Sequence, residues 1–231
     1  MDTRTTYLLR SPILAALSPG DVAVLAERAV LKKLVRSDVL LLSGDIRPRT
    51  YLVAQGALKL IARNFEGTET VLGLVLPGDL VGDLGALDGE PQPLDAVATC
   101  SSIVASLDAE HLMELIARNR AACLAYARVL AARFRGMTRH ALERSSSEVP
   151  ARLAAQLLEL AASIGRESGG IIEMELPIAQ GELGALAGMC RESACKTLRQ
   201  FKRQGVVDYR GRRLRILRRD GLERISCAER A

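Results

Sequence analysis

The chain has 231 residues, enough for two modest domains with separate cores. Its hydrophobic (48%) and charged (26%) fractions are those of a soluble globular protein, and no apolar run reaches membrane-spanning length. The net charge of +5 arises entirely from residues 149–231, which carry 15 Lys+Arg against 10 Asp+Glu, while residues 1–148 balance 17 against 17.

The first segment, MDTRTTYLLRSPILAAL, makes a poor signal peptide. Five cysteines without a CxxC pair argue against a disulfide framework, so the expected location is the cytoplasm. From about Ser11 to Ala29 one or two short helices are expected, with Ser18-Pro19-Gly20-Asp21 as a start signal. From Leu31 to about Leu107, short Val/Leu/Ile runs alternate with glycine turns, as in a jelly-roll β-sandwich or small barrel. Asn64–Gly67 suits a hairpin turn within it. Asp108 can cap a helix, and a break near Asn119-Arg120 precedes a longer one. Along the longer helix Leu124, Ala127, Leu130, Ala131, Phe134, Met137 and Ala141 lie close to a heptad seam, a candidate dimerisation face.

Ser145–Ser147 and Pro150 read as a hinge before a new helix, ARLAAQLLELAASIG. The polar RESGG then leads to a strand, IIEMEL. Gln180–Gln204 reads as two short helices about a turn at Gly188. Leu183, Leu186 and Ala187 share one face of the first, and Ala194, Leu198 and Phe201 one face of the second. Arg191, Glu192, Lys196, Arg199, Lys202 and Arg203 occupy the other faces of the second helix, the arrangement needed in a DNA major groove. GVVDYRGRRLRILR reads as a hairpin turning near Arg210-Gly211, a wing whose arginines can reach phosphates. Arg191–Arg219 holds eleven basic and two acidic residues, the footprint of a phosphate-binding module.

The segments SGD…TYLVAQGALKL, LPGDLVGDLGAL and LPIAQGELGALAGMCRESACKTL resemble three motifs of the superfamily of the cyclic AMP receptor protein and the fumarate-nitrate reduction regulator (CRP/FNR). The resemblance covers nearly the whole chain and implies an α+β architecture. An N-terminal double-stranded β-helix (jelly-roll) effector domain would span 1–118, a dimerisation helix and hinge 119–148, and a winged helix-turn-helix 149–231. It further implies a homodimer that binds double-stranded DNA at a palindromic, TGTGA-like site, and contacts with RNA polymerase if the protein activates. The family's base-reading positions fall on Arg191, Glu192 and Lys196, with Ser193, Arg199, Arg210 and Arg212 as further candidate DNA contacts. Cys190 stands at the capping position where relatives often have Ser or Thr, so a cap is expected to be weakened. The helix start and Arg191 could make Cys190 reactive, and Cys195 is a second thiol on the same helix.

The pocket departs from the resemblance. Gly82, Asp83, Leu84 and Gly85 align with the segment that holds the ribose, with Asp83 in place of a glutamate. Leu94 and Asp95 fall where relatives place an arginine and a hydroxyl residue on the phosphate, and Met137-Thr138 where a hydroxyl pair approaches the adenine. Removing the phosphate's cation at Leu94 and placing a carboxylate beside it at Asp95 disfavours cyclic AMP. No cysteine precedes Cys100, so no iron–sulfur cluster of the family's N-terminal type is expected. Only His111 and His140 could ligate haem, and both read as solvated helix residues. Cys100 is expected on a buried strand and Cys123 in helix packing. No catalytic motif or strand-borne histidine favours an enzyme. The alternatives are a cyclic-nucleotide-responsive regulator with an altered pocket, and a ligand-binding subunit acting through protein contacts.

Overall fold

Eight of the short strands pair into two antiparallel sheets in the computed structural model, which describes residues 2–46, 49–63, 69–146 and 148–227. The chain divides into two units, Met1–Arg135 and Gly136–Ala231. The first opens with α1 (Thr3–Leu8), a 3-10 turn (Leu14–Ala16) and α2 (Pro19–Arg28). The start signal at α2 acts as expected, because Ser18 Oγ accepts from the Asp21 amide. The strands follow as β1 (Val30–Leu34), β2 (Val39–Leu41), β3 (Arg49–Gln55), β4 (Leu58–Arg63), β5 (Glu69–Val75) and β6 (Leu80–Val81). After α3 (Asp83–Asp88) come β7 (Asp95–Ala98) and β8 (Ser102–Asp108). One sheet has the order β1-β8-β3-β6 and the other β2-β7-β4-β5.

The strand sequences explain the layers. Tyr51, Val53 and Val104 point between the sheets and meet Leu41, Leu58, Val75 and Ala96. Leu52, Ala54, Ala105 and Leu107 alternate with them and face the helices, packing on Leu8, Leu14 and Leu25. Strand β3 is therefore buried on both faces, which accounts for its unbroken apolar run. Gly56 joins β3 to β4 at φ 79°, and a Cβ there would stand 2.7 Å from Ser102 Cα, so only glycine fits. Arg63 pairs with Glu69, but the Asn64–Gly67 turn expected between them lies outside the described residues.

Asp108 caps α4 (Ala109–Arg118) through the His111 amide, and α5 (Arg120–Ser146) follows. The break between helices falls in the expected hinge, with α5 described to Ser146 and the next helix starting at Val149; Ser147 lies outside the described residues. The second unit holds the end of α5, then α6 (Val149–Ile164), β9 (Arg166–Ser168) and β10 (Ile171–Glu175). The stretch taken as a polar lead is thus itself a strand, turned back by Gly169-Gly170, both at positive φ. After α7 (Gln180–Leu186) and α8 (Arg191–Arg203) come β11 (Val207–Arg210), β12 (Arg213–Ile216) and α9 (Arg219–Cys227). The four strands form one sheet, β11-β12-β10-β9. Among the described residues, no helix is long and apolar enough to cross a membrane.

Candidate nucleic-acid interface and ligand pocket

Helix α8 buries Ala194, Leu198 and Phe201 as its spacing requires, and Thr197 with them, its hydroxyl returned to the Ser193 carbonyl. Leu183, Leu186 and Ala187 cover the facing side of α7. The two helices approach closely at Gly184, where a Cβ would come 2.9 Å from Ala194 Cβ. Gly188 turns the chain between them at φ 66°. This packing leaves Arg191, Glu192, Lys196, Arg199, Lys202 and Arg203 exposed and Ser193 half-buried. Lys196, Arg199, Lys202 and Arg203 line one concavity of this surface. The Arg191 stem is steadied over Gly181, where a Cβ would sit 3.4 Å from its Cδ.

Lys202 has a second task. Its Nζ stands 2.7 Å from Asp208 Oδ1 and 5.3 Å from the Tyr209 ring centroid, tying β11 to α8. The hydrogen bond from Lys202 holds the Asp208 carboxyl below its usual pKa. Strands β11 and β12 pair as far as Arg210↔Arg213, so the wing turns through Gly211-Arg212, with Gly211 at φ 61°. Arg210 and Arg213 are exposed and Arg212 is half-buried. Arg218 donates to the carbonyls of Gln204 and Gly205, closing the C-terminal end of α8.

At the other end of α8, Cys190 makes no capping hydrogen bond. Its Sγ lies 3.2 Å from Ser193 Oγ, and that hydroxyl, followed by the Ser193 amide, lowers the thiol pKa. Helix α7 is capped differently. Ala179 has no acceptor side chain, so only the return half of a capping box forms, the Ala179 amide donating to Glu182 Oε2 at 2.9 Å.

In the first unit, Gly82 turns the chain into α3 at φ 82° and carries Asp83 inward to 2% exposure. Asp83 Oδ2 accepts from Arg133 Nη1 at 2.8 Å and from the Tyr126 hydroxyl at 3.2 Å, both on α5. Arg133 Nη2 also donates to the Leu80 carbonyl. Burial, then the Asp83 charge, raises the Tyr126 phenol pKa. Asp95 is equally enclosed, at 3% exposure; Oδ1 accepts from the Ser43 amide at 2.7 Å and Oδ2 faces Arg63 Nη1 at 2.9 Å. Leu84 is exposed, and Gly85 and Leu94 are half-buried. Buried Gln92 donates to the Gly82 carbonyl and reaches to 2.6 Å from where a Gly85 Cβ would stand. Both carboxylates, Asp83 and Asp95, are thus buried with their cations already engaged. Sequence reading overlooked Arg133, Tyr126, Arg63 and Gln92. The available signal was that two acids in apolar surroundings require cations.

Met137 and Thr138 belong to the second unit, where both are exposed. On α5, Ala127, Phe134, Met137 and Ala141 are exposed, Phe134 by 71%. Leu130 differs from the others by packing partly against the first unit's own core. Other expectations are corrected. Cys100 is half-buried in the bend between β7 and β8, because β7 ends at Ala98, and Cys123 is exposed on α5. His111 and His140 are three-quarters buried side chains; His111 faces Glu114 and His140 faces Glu159. Among the described residues no His/Cys/Asp/Glu group could hold a metal ion.

Residues 31–119 match the family model of the cyclic nucleotide-binding domain, and residues 151–225 that of the Crp-like helix-turn-helix domain. A CRP-like cAMP-activated global transcriptional regulator of Mycobacterium tuberculosis is 28% identical over 209 residues, 90% of this chain and 93% of that protein. The cyclic AMP receptor protein of Thermus thermophilus is 29% identical over 197 residues, covering 85% and 88%. Among solved structures, FixK2 from Bradyrhizobium japonicum superposes with a TM-score of 0.75 at 22% identity, over 85% of this chain and 96% of its own. The Mycobacterium tuberculosis relative is a transcriptional regulator, the FixK2 likeness shows the fold, and the two models fall on the β-roll and on α6–α9. With its β-roll, long helix and Crp-like helix-turn-helix, the chain belongs to the CRP/FNR superfamily of transcriptional regulators.

Proposed function

We propose that this regulator works in the cytoplasm as a homodimer on a palindromic site with TGTGA-like halves. Arg191, Glu192 and Lys196 would read bases, while Ser193, Arg199, Arg210 and Arg212 bind backbone. The observation that carries this reading is the exposed basic face of α8 above its buried Ala194–Leu198–Phe201 stripe. Arginine offers a bidentate fork to guanine, glutamate accepts from cytosine, and Lys196 is a less discriminating point donor. The exposed apolar side of α5 supports a two-fold partner, which a palindromic site requires. Cyclic AMP does not control the protein through the family's usual contacts. Asp83 is already paired with Arg133 and Asp95 with Arg63, and Gln92 donates to the carbonyl of Gly82 at the start of α3.

The test is selection of bound sequences from a random DNA pool, with and without cyclic AMP and cyclic di-GMP. Enrichment of a TGTGA-like inverted repeat that is indifferent to both nucleotides is expected. A pool without inverted symmetry would refute the dimeric reader, and enrichment that required cyclic AMP would refute the account of the pocket.

A further inference from the structure

Helix α6 carries the reading head, packing against α8 and α9. Its Arg152 donates from Nε to the Ala187 carbonyl at 3.1 Å and from Nη2 to the Gly188 carbonyl at 3.4 Å. These bonds hold the turn between α7 and α8. At about 100° per residue, Gln156 and Glu159 fall on the same face of α6 as Arg152. There Glu159 meets the end of α5. Its Oε1 accepts from Arg139 Nη2 at 3.2 Å, and its Oε2 stands 3.4 Å from His140 Nε2. Gln156, only 5% exposed, donates to the same Oε2 at 3.4 Å from the preceding turn of α6 and steadies the carboxylate. Along the chain, only two residues separate Ser146 of α5 from Val149 of α6. One carboxylate therefore clasps two helices that the chain joins through a very short link.

With Arg139 51% and Glu159 39% exposed, the pair adds little to folding stability. Its consequence is directional. Each base pair inserted between two half-sites moves one of them about 3.4 Å along the duplex and turns it by about 35°. A reading head held at a fixed angle matches few such placements, whereas one on a loose joint matches several. We propose that Glu159 selects the spacing between half-sites by clasping α6 to Arg139 and His140 at the end of α5. The inference rests on the dimeric reading above and adds to it the residue that sets the distance between the halves. Glu159 is a positioning residue, acting through α6 and Arg152 on the α7–α8 turn and not on the bases.

The test titrates the full-length protein against duplexes carrying the selected half-site twice, inverted, with the central spacer varied by about two base pairs either way. The unmodified chain should favour one spacing. Glu159→Arg sets a cation against Arg139 and should cut that preference roughly fivefold, leaving the ranking of single-base variants within a half-site unchanged. Its added charge acts on every duplex alike, so the ratio between spacings is free of it. Arg139→Glu in the Glu159→Arg background re-forms the pair with its signs exchanged and should restore most of the preference. An ion pair that only stabilised the fold would alter unfolding and leave the spacing ratio untouched. Glu159→Gln keeps the shape of the side chain and gives the same readout without a reversed charge, with a loss of about twofold. A spacing preference unchanged in Glu159→Gln and Glu159→Arg, or a double variant that restores none of it, would overturn the clasp and leave the dimer standing. An unmodified chain indifferent to the second half-site would overturn both.

Discussion

Arg133→Leu tests whether the α3 acid is held internally. The substitution removes the guanidinium 2.8 Å from Asp83 Oδ2 and leaves a carboxylate that is only 2% exposed. Breaking one side of a buried pair costs about 3–5 kcal/mol. The Arg133 side chain is 33% exposed and the Tyr126 hydroxyl remains 3.2 Å from the same oxygen, so the expected cost falls to about 2–3 kcal/mol. Asp83→Asn in the Arg133→Leu background removes the stranded charge and should return at least half of that loss. Tyrosine emission during urea unfolding reads the relevant unit, because Tyr7, Tyr51 and Tyr126 lie in it and only Tyr209 lies elsewhere. A cost for Arg133→Leu below about 0.5 kcal/mol, or a second substitution that adds to the damage, would show that Arg133 does not hold Asp83.

Arg191→Ala should weaken binding to the selected DNA site by about 1–3 kcal/mol and relax one base position, read by competition against single-base variants. Equal loss on random DNA would make Arg191 a phosphate contact only. Asp79 has a raised pKa, chiefly from burial, partly opposed by its bond to the Leu76 amide. A carboxyl raised in the folded state stabilises below its unfolded pKa and loses that contribution as pH rises through the folded value. The unmodified chain should therefore gain stability relative to Asp79→Asn as pH is lowered from neutrality into the carboxyl range; a constant difference would contradict this. Cys190 should alkylate with iodoacetamide at neutral pH faster than Cys123 and Cys227, which are also exposed, because the Ser193 hydroxyl favours its thiolate. Equal rates by mass spectrometry would refute the lowered pKa, and alkylation without loss of DNA affinity would remove any role for Cys190 in redox control.

The DNA-reading unit was legible because its signals are local. Leu183 to Phe201 spans two helices whose buried positions follow one period, Gly188 marks the turn, and Gly211 turns the wing. Short elements were the ones missed. Helix α1 lies in a segment without a strong start signal, α3 is six residues long, and β9 consists of polar edge residues with no apolar alternation. The hinge was legible because its signals are also local: the serine run lies where α5 gives way to α6, and Pro150 stands in the first turn of α6.

The pocket was legible only as a departure from its family, and the reason lies in sequence distance. Asp83 finds its cation 50 residues later, Asp95 finds Arg63 on another strand, and Ser43 reaches Asp95 across 52 residues. No periodicity carries such pairings. They also make the pocket resistant to single substitutions that would restore an anion site. Placing arginine at Leu94 alone would set a second guanidinium near a carboxylate already facing Arg63, and the two cations would compete for one acid before either met a phosphate. Replacing Asp95 alone would free Arg63, whose other partner is Glu69 at the sheet surface, while Leu94 still offered no donor. On the proposed reading of the pocket, an anionic effector would need both changes together.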